Sequence, residues 1–143
     1  MKTLLSSHRS VRFVWAALAI MALSLAPLRL NAQTLEIGIQ CSPSTIVLRA
    51  IRAGDCLTVH ADIPYSLVVK GSVELQAPNG SLKPYSTFPD DCGNLVAKFA
   101  MTELKPLLCI GAISLELSGE AVDPSDPEAI VAFAGTDSVR VRK

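Results

Sequence analysis

The stretch FPDDCGNLVAKF, Phe88 to Phe99, sets Asp90, Asp91, Cys92, Gly93 and Asn94 directly before an apolar alternation. Two adjacent carboxylates with an amide oxygen are ligand chemistry for a hard cation, a thiol among acids is redox or soft-metal chemistry, and the same residues also make the entrance to a strand. The candidate calcium ligands are Asp90, Asp91 and the Asn94 side-chain oxygen. Calcium takes about six to eight oxygens, more than this turn offers alone. An Asx-type bond to a nearby backbone amide is the competing use of the same carboxylates, and the solvated turn is the expectation. Asp123, Asp126 and Glu128 in VDPSDPEA form a second acidic group, whose proline neighbours suggest a long solvated loop between the last two strands.

Zinc requires clustered ligands. Cys41, Cys56, Cys92 and Cys109 are instead spaced by 15, 36 and 17 residues, and His60 is the only histidine beyond the first 32 residues. No metal and no cofactor is expected. A general base needs a partner within reach, the nearest hydroxyl on the face of His60 is Thr58, and no G-x-S-x-G elbow occurs. No catalytic residue and no enzyme activity is expected. Tyr65, Tyr85 and Phe88 are the aromatic residues at expected loop or edge positions, whereas Phe99 and Phe133 fall within alternations that suggest a core.

The elements that must position these residues begin after an exported leader. Lys2, Arg9 and Arg12 precede the apolar FVWAALAIMALSLA, Pro27 breaks it, and Ala32 offers a small residue for cleavage, so residues 1–32 are read as a signal peptide. The apolar run is 14 residues long, short of the roughly 20 that a membrane anchor needs. The expectation is a secreted or periplasmic chain, residues 33–143, with no membrane association after cleavage. Four of the 13 Lys and Arg lie in the leader and all 13 Asp and Glu lie beyond it, so the mature balance is 9 − 13 = −4. A mildly acidic chain whose only basic cluster is Arg140, Arg142 and Lys143 does not suit nucleic acid.

Beyond residue 32 the apolar period is two almost throughout, the mark of half-buried strands. In CLTVHADI, Leu57, Val59, Ala61 and Ile63 share one face while Thr58, His60 and Asp62 share the other. Pro78-Asn79-Gly80 is a hairpin signal, and Pro84 confines LKPYSTF to a sheet edge. MTELKPLL reads as a single helical turn. About seven strands in 111 residues suggest an all-β, antiparallel Ig-like or fibronectin type III-like sandwich, with a Greek-key barrel as the alternative. The antibody-type core tryptophan is missing, because Trp15 lies in the leader.

SPSTIVL, GDCLTVHADIP, SVELQ, NLVAKFAMTELK and FAGTDSVRV, in this order, resemble a small Ig-like domain that recurs near the ends of bacterial and archaeal extracellular multidomain proteins. The resemblance covers nearly all of residues 41 to 142. It implies a fold and a location but no general activity. Two departures stand out: the Asp-rich turn before the VKF-type strand is shortened to Asp90–Asn94, and the family's Asp-Arg after the Phe is replaced by Ala100-Met101.

An even cysteine count in an exported domain suggests two disulfides, for which three pairings exist. If TIVLRAI, CLTVHADI, SVELQA, LKPYSTF, NLVAKFA and CIGAISLEL run alternately up and down, parity favours Cys41 with Cys92 and Cys56 with Cys109. The second pair needs a bulge or a strand-end twist, because Cys56 falls on the Thr58 and His60 face. The functional expectation is a non-catalytic exported module, structural or adhesive, that meets an extracellular protein or glycan; the alternative is a calcium-assisted carbohydrate-binding module.

Overall fold

Alternation and turn chemistry divide residues 33–143, the part that this computed structural model describes, into ten strands. They are β1 (Thr34–Glu36), β2 (Ile39–Ser42), β3 (Thr45–Val47), β4 (Cys56–Pro64), β5 (Glu74–Ala77), β6 (Gly80–Leu82), β7 (Ser86–Pro89), β8 (Asn94–Ala100), β9 (Gly111–Asp123) and β10 (Asp126–Arg142). MTELKPLL forms the expected turn, α1 (Met101–Leu104), continued by a 3-10 turn at Lys105–Leu107. The leader assigned to residues 1–32 lies outside the described residues.

The strands form two sheets in a sandwich-like arrangement. One sheet has the order β1-β10-β9-β5-β6, with β3 also on β10; the other has the order β2-β4-β8-β7. Side chains that alternate inward from both sheets make the core. Leu57, Val59, Leu75, Leu95, Phe99, Leu115, Leu117 and Phe133 are at most 1 % exposed, while His60 and Asp62 stand in solvent. LKPYSTF is not one strand: Pro84 lies between β6 and β7, which belong to different sheets and each end one, and Pro78-Asn79 closes the tight β5–β6 hairpin.

Two further expectations fail. TIVLRAI is not the first strand: β1 and β2 precede it and only Thr45–Val47 of it is strand, because the chain before Cys56 serves both sheets in turn. VDPSDPEA is not a long loop: Asp123 pairs with Asp126, so β9 and β10 form one long hairpin with a register shift between Asp126 and Ile130. Asp123 makes the tight turn possible by accepting the backbone N–H and the hydroxyl of Ser125, at 2.8 and 2.7 Å.

The sheet switch explains the closing F-x-G-x-D spacing. β1 runs parallel to β10, and the Ile37 N–H donates to the Ala134 carbonyl at 3.0 Å. The chain then leaves at Gly38, whose carbonyl accepts the Asp62 N–H at 2.8 Å, and joins β4 as β2. It returns as β3 beside Arg140–Arg142. The crossing passes directly over Gly135, where a Cβ would lie 2.5 Å from the Ile37 carbonyl oxygen and 2.7 Å from Ile39 Cγ2. Phe133 fills the core on one side of this contact. On the other side Asp137 points inward, its carboxylate accepting the Cys41 N–H at 2.8 Å and the Ser138 N–H at 2.9 Å. The inward acid thus has hydrogen-bonded partners, as a half-buried carboxylate requires.

Candidate functional site

The predicted disulfides are not present, and the four cysteines are free and apart. Cys41 lies inside β2, level with Val59 on β4, whereas Cys92 lies beyond Asn94, which is level with Pro64. Five residue steps along β4, at about 3.3 Å each, far exceed the roughly 4.4 to 6.8 Å between the Cα atoms of a disulfide. Cys41 precedes the first strand only if that strand starts at Thr45; the path begins at Thr34, so Cys41 is mid-strand, in β2. Cys56 points outward from the β4 sheet, its sulfur 4.0 Å from the Thr58 hydroxyl. Cys109 sits by the β5–β6 turn of the other sheet, where its sulfur accepts from the Asn79 amide at 3.4 Å. Of the four, Cys41 alone is buried. Burial, and the Asp137 carboxylate beside it, push its thiol up to about 12 and keep it protonated.

The turn at Phe88–Phe99 has a definite local role. Asp90 Oδ1 accepts the N–H groups of Cys92 and Asn94 at 2.8 and 2.9 Å, and the Gly93 N–H donates to the Asp90 carbonyl at 2.9 Å. Gly93 takes φ +82°, a conformation that side chains disfavour. One Asp90 oxygen is therefore committed to the backbone, and Asp91 is exposed. Among the described residues, no group of three His, Cys, Asp or Glu side chains is placed to hold a metal ion. His60 stands exposed on the outer face of the β4 sheet, in register with Gln40 and Val96.

The same turn positions an aromatic residue. The Gly93 carbonyl accepts the Tyr65 N–H at 2.9 Å, fixing the 3-10 turn Tyr65–Leu67 that follows β4. The Tyr65 hydroxyl reaches toward the Thr87 carbonyl of edge strand β7, at 3.5 Å. Tyr65 and Tyr85 thereby line one cleft of about 160 Å³ at the open edge between the sheets, together with Lys70, Lys83, Ser86 and Thr87. The Tyr85 N–H donates to the Lys98 carbonyl at 3.0 Å, and the Cys56 side chain at its phenol raises the Tyr85 pKa. The Lys83 ammonium lies 3.5 Å from the Gly71 carbonyl. On the adjoining outer face, the Lys98 ammonium stands 5.6 Å from the centre of the Phe88 ring, a cation–π contact.

Of the residues considered from sequence, Tyr65 and Tyr85 line one cleft, His60, Asp90 and Asn94 line a second, open depression with Gln40 and Asp62, and the cysteines share no site. Lys70 and Lys83 carried no sequence signal, because they sit on separate connections that only the closure of the sandwich edge brings to one cleft. Compared with family models, with curated proteins and with solved structures, the chain matches none of them.

Proposed function

We propose that this chain is a non-catalytic, exported Ig-like module that binds a saccharide of an extracellular surface through the Tyr65–Tyr85 cleft. The observation that carries this reading is a small open cleft at the sheet edge, lined by Tyr65 and Tyr85 together with hydroxyl- and ammonium-bearing residues. Aromatic walls with a few placed polar groups are the usual make-up of a small-ligand site. Tyr85, at 60 % exposure, and Phe88, at 37 %, extend the aromatic surface outward. The resemblance of SPSTIVL through FAGTDSVRV to extracellular Ig-like domains, and the leader-like residues 1–32, support export. Asp90 spends a carboxylate oxygen on backbone amides, so the reading rests on the aromatic cleft and not on calcium.

A glycan array probed with purified protein, with and without calcium, tests this reading. Saccharide binding that persists in chelator and is lost in Tyr85→Ala supports it. Binding that requires calcium, or that is unchanged in Tyr85→Ala, refutes the assignment to this cleft.

A further inference from the structure

Resting on the saccharide-binding reading, we infer that the cleft is selective for carboxylate-bearing sugars, such as the uronic acid units of acidic polysaccharides, with Lys70 and Lys83 as the carboxylate partners. Charge is the first ground. Residues 33–143 hold nine basic and thirteen acidic side chains, yet the charged residues lining this cleft are Lys70 and Lys83, and both are cations. A chain with an excess of acids thus opens a locally positive cleft, and a positive site in such a chain selects an anionic ligand. Size is the second ground. At about 160 Å³ the cleft is close to the roughly 150 Å³ that holds one benzene ring in an engineered cavity. A sugar ring is bulkier than benzene, so the open cleft seats one edge of a single sugar unit and leaves the rest in solvent.

The residues divide the task. Tyr65 is fixed at its backbone by Gly93, at 2.9 Å, and its half-buried ring, with the hydroxyl 3.5 Å from the Thr87 carbonyl, forms a wall of the cleft. Tyr85 is exposed at the mouth of the cleft, and its phenol is directed to Cys56. Lys70 is exposed. Among the described residues Lys83 has a 3.5 Å contact to the Gly71 carbonyl, a long bond that a carboxylate would replace with a shorter, charge-assisted one. Ser86 and Thr87 supply backbone and hydroxyl groups for the ring hydroxyls. An acidic peptide shares the charge but lacks a sugar ring to lie against Tyr65, which is why the sugar is favoured.

The test is calorimetric titration of the full chain with four probes: an α-1,4-linked galacturonate trimer, a glucuronate-containing oligosaccharide, a neutral galactose trimer and triglutamate. Binding to at least one uronate, weakened by added salt and absent for the neutral trimer, is expected. Lys70→Gln and Lys83→Gln should each weaken it about tenfold, the loss of one charge-assisted hydrogen bond. Both lysines are exposed, so the variants should melt with the wild type, and a thermal scan checks this. Equal binding of neutral and acidic trimers, or unchanged affinity in both glutamine variants, overturns the charge inference while leaving the saccharide module standing. Triglutamate binding as tight as the uronates overturns the sugar assignment, and no binding to any saccharide sinks both.

Discussion

Replacement of Gly135 by alanine tests the sheet switch on which the whole arrangement depends. The added methyl would meet the Ile37 carbonyl oxygen at 2.5 Å and Ile39 Cγ2 at 2.7 Å. Real contacts of a Cβ essentially never fall below 3.0 Å, so backbone must retreat by at least 0.5 Å. The oxygen belongs to the chain between two anchors, the Ile37 N–H bond to Ala134 at 3.0 Å and the Gly38 carbonyl bond from Asp62 at 2.8 Å, so it cannot move alone. Overpacking of this kind costs about 1 to 3 kcal/mol. Loss of one or two of the anchoring hydrogen bonds adds about 1 kcal/mol each, or more if a buried group is left unpaired. A total near 3 to 5 kcal/mol is a large part of the roughly 5 to 15 kcal/mol that holds a small domain. For a domain of this size that is a fall in melting temperature of about 12 to 20 °C. The assay is thermal unfolding followed by circular dichroism, with Gly38→Ala as the control. Gly38 lies at the same crossing, but its Cβ would meet only Asp62 Cβ at an ordinary 3.9 Å, so this variant should melt near the wild type. If Gly135→Ala melts with the wild type, or if Gly38→Ala falls as far, the close approach of the crossing to β10 is wrong.

Other consequences are open to direct measurement. The Cys41 thiol, pushed from 9.0 up to about 12 in the folded chain, stays protonated where the unfolded thiol ionises; stability is therefore complete below pH 9 and falls as pH rises toward 12. Urea unfolding from pH 8 to 11 should show a steeper alkaline loss in wild type than in Cys41→Ala, and equal slopes would contradict the buried thiol. Under native conditions a thiol reagent should modify exposed Cys92 and Cys109 first and Cys41 last, with four thiols titrating after denaturation; any intrachain disulfide found by peptide mapping would contradict the strand register. Val139 and Val141 are 2 % and 1 % exposed, and burying each valine is worth about 1.5 to 3 kcal/mol. Truncation after Gly135 should therefore prevent accumulation of folded protein and Val139→Asp should nearly do so, whereas Arg142→Ala, on the exposed side, should be silent; a cooperative melt of the truncated chain would show that β10 is not integral. Asp137→Ala leaves the Cys41 N–H without its 2.8 Å acceptor and should cost about 1 to 3 kcal/mol, read as a shift of the urea midpoint.

What the sequence determined by itself is local. The period of two in CLTVHADI, NLVAKFA and SVRV identifies which side chains face inward, because a strand presents alternate residues to opposite faces whatever its neighbours are. Pro78-Asn79-Gly80 marks its hairpin by backbone chemistry alone. Asp90 is legible as a turn residue for the same reason, since its partners are two and four residues away. The cysteines show where this reasoning ends. Parity assigns each strand an end but not a beginning, and placing the start of the first strand about ten residues late moved Cys41 from mid-sheet to a strand end. The switch of one strand path between sheets at Gly38 could not be seen locally, because its cause, the open space above Gly135, lies nearly a hundred residues away in the chain. The cleft is decided the same way. Tyr65, Lys70, Lys83 and Tyr85 lie on connections with no shared periodicity, and only the gap left between β7 and the edge of the facing sheet brings them together. Residue type and spacing dictate what each strand buries, whereas long-range pairing alone decides which side chains share a site.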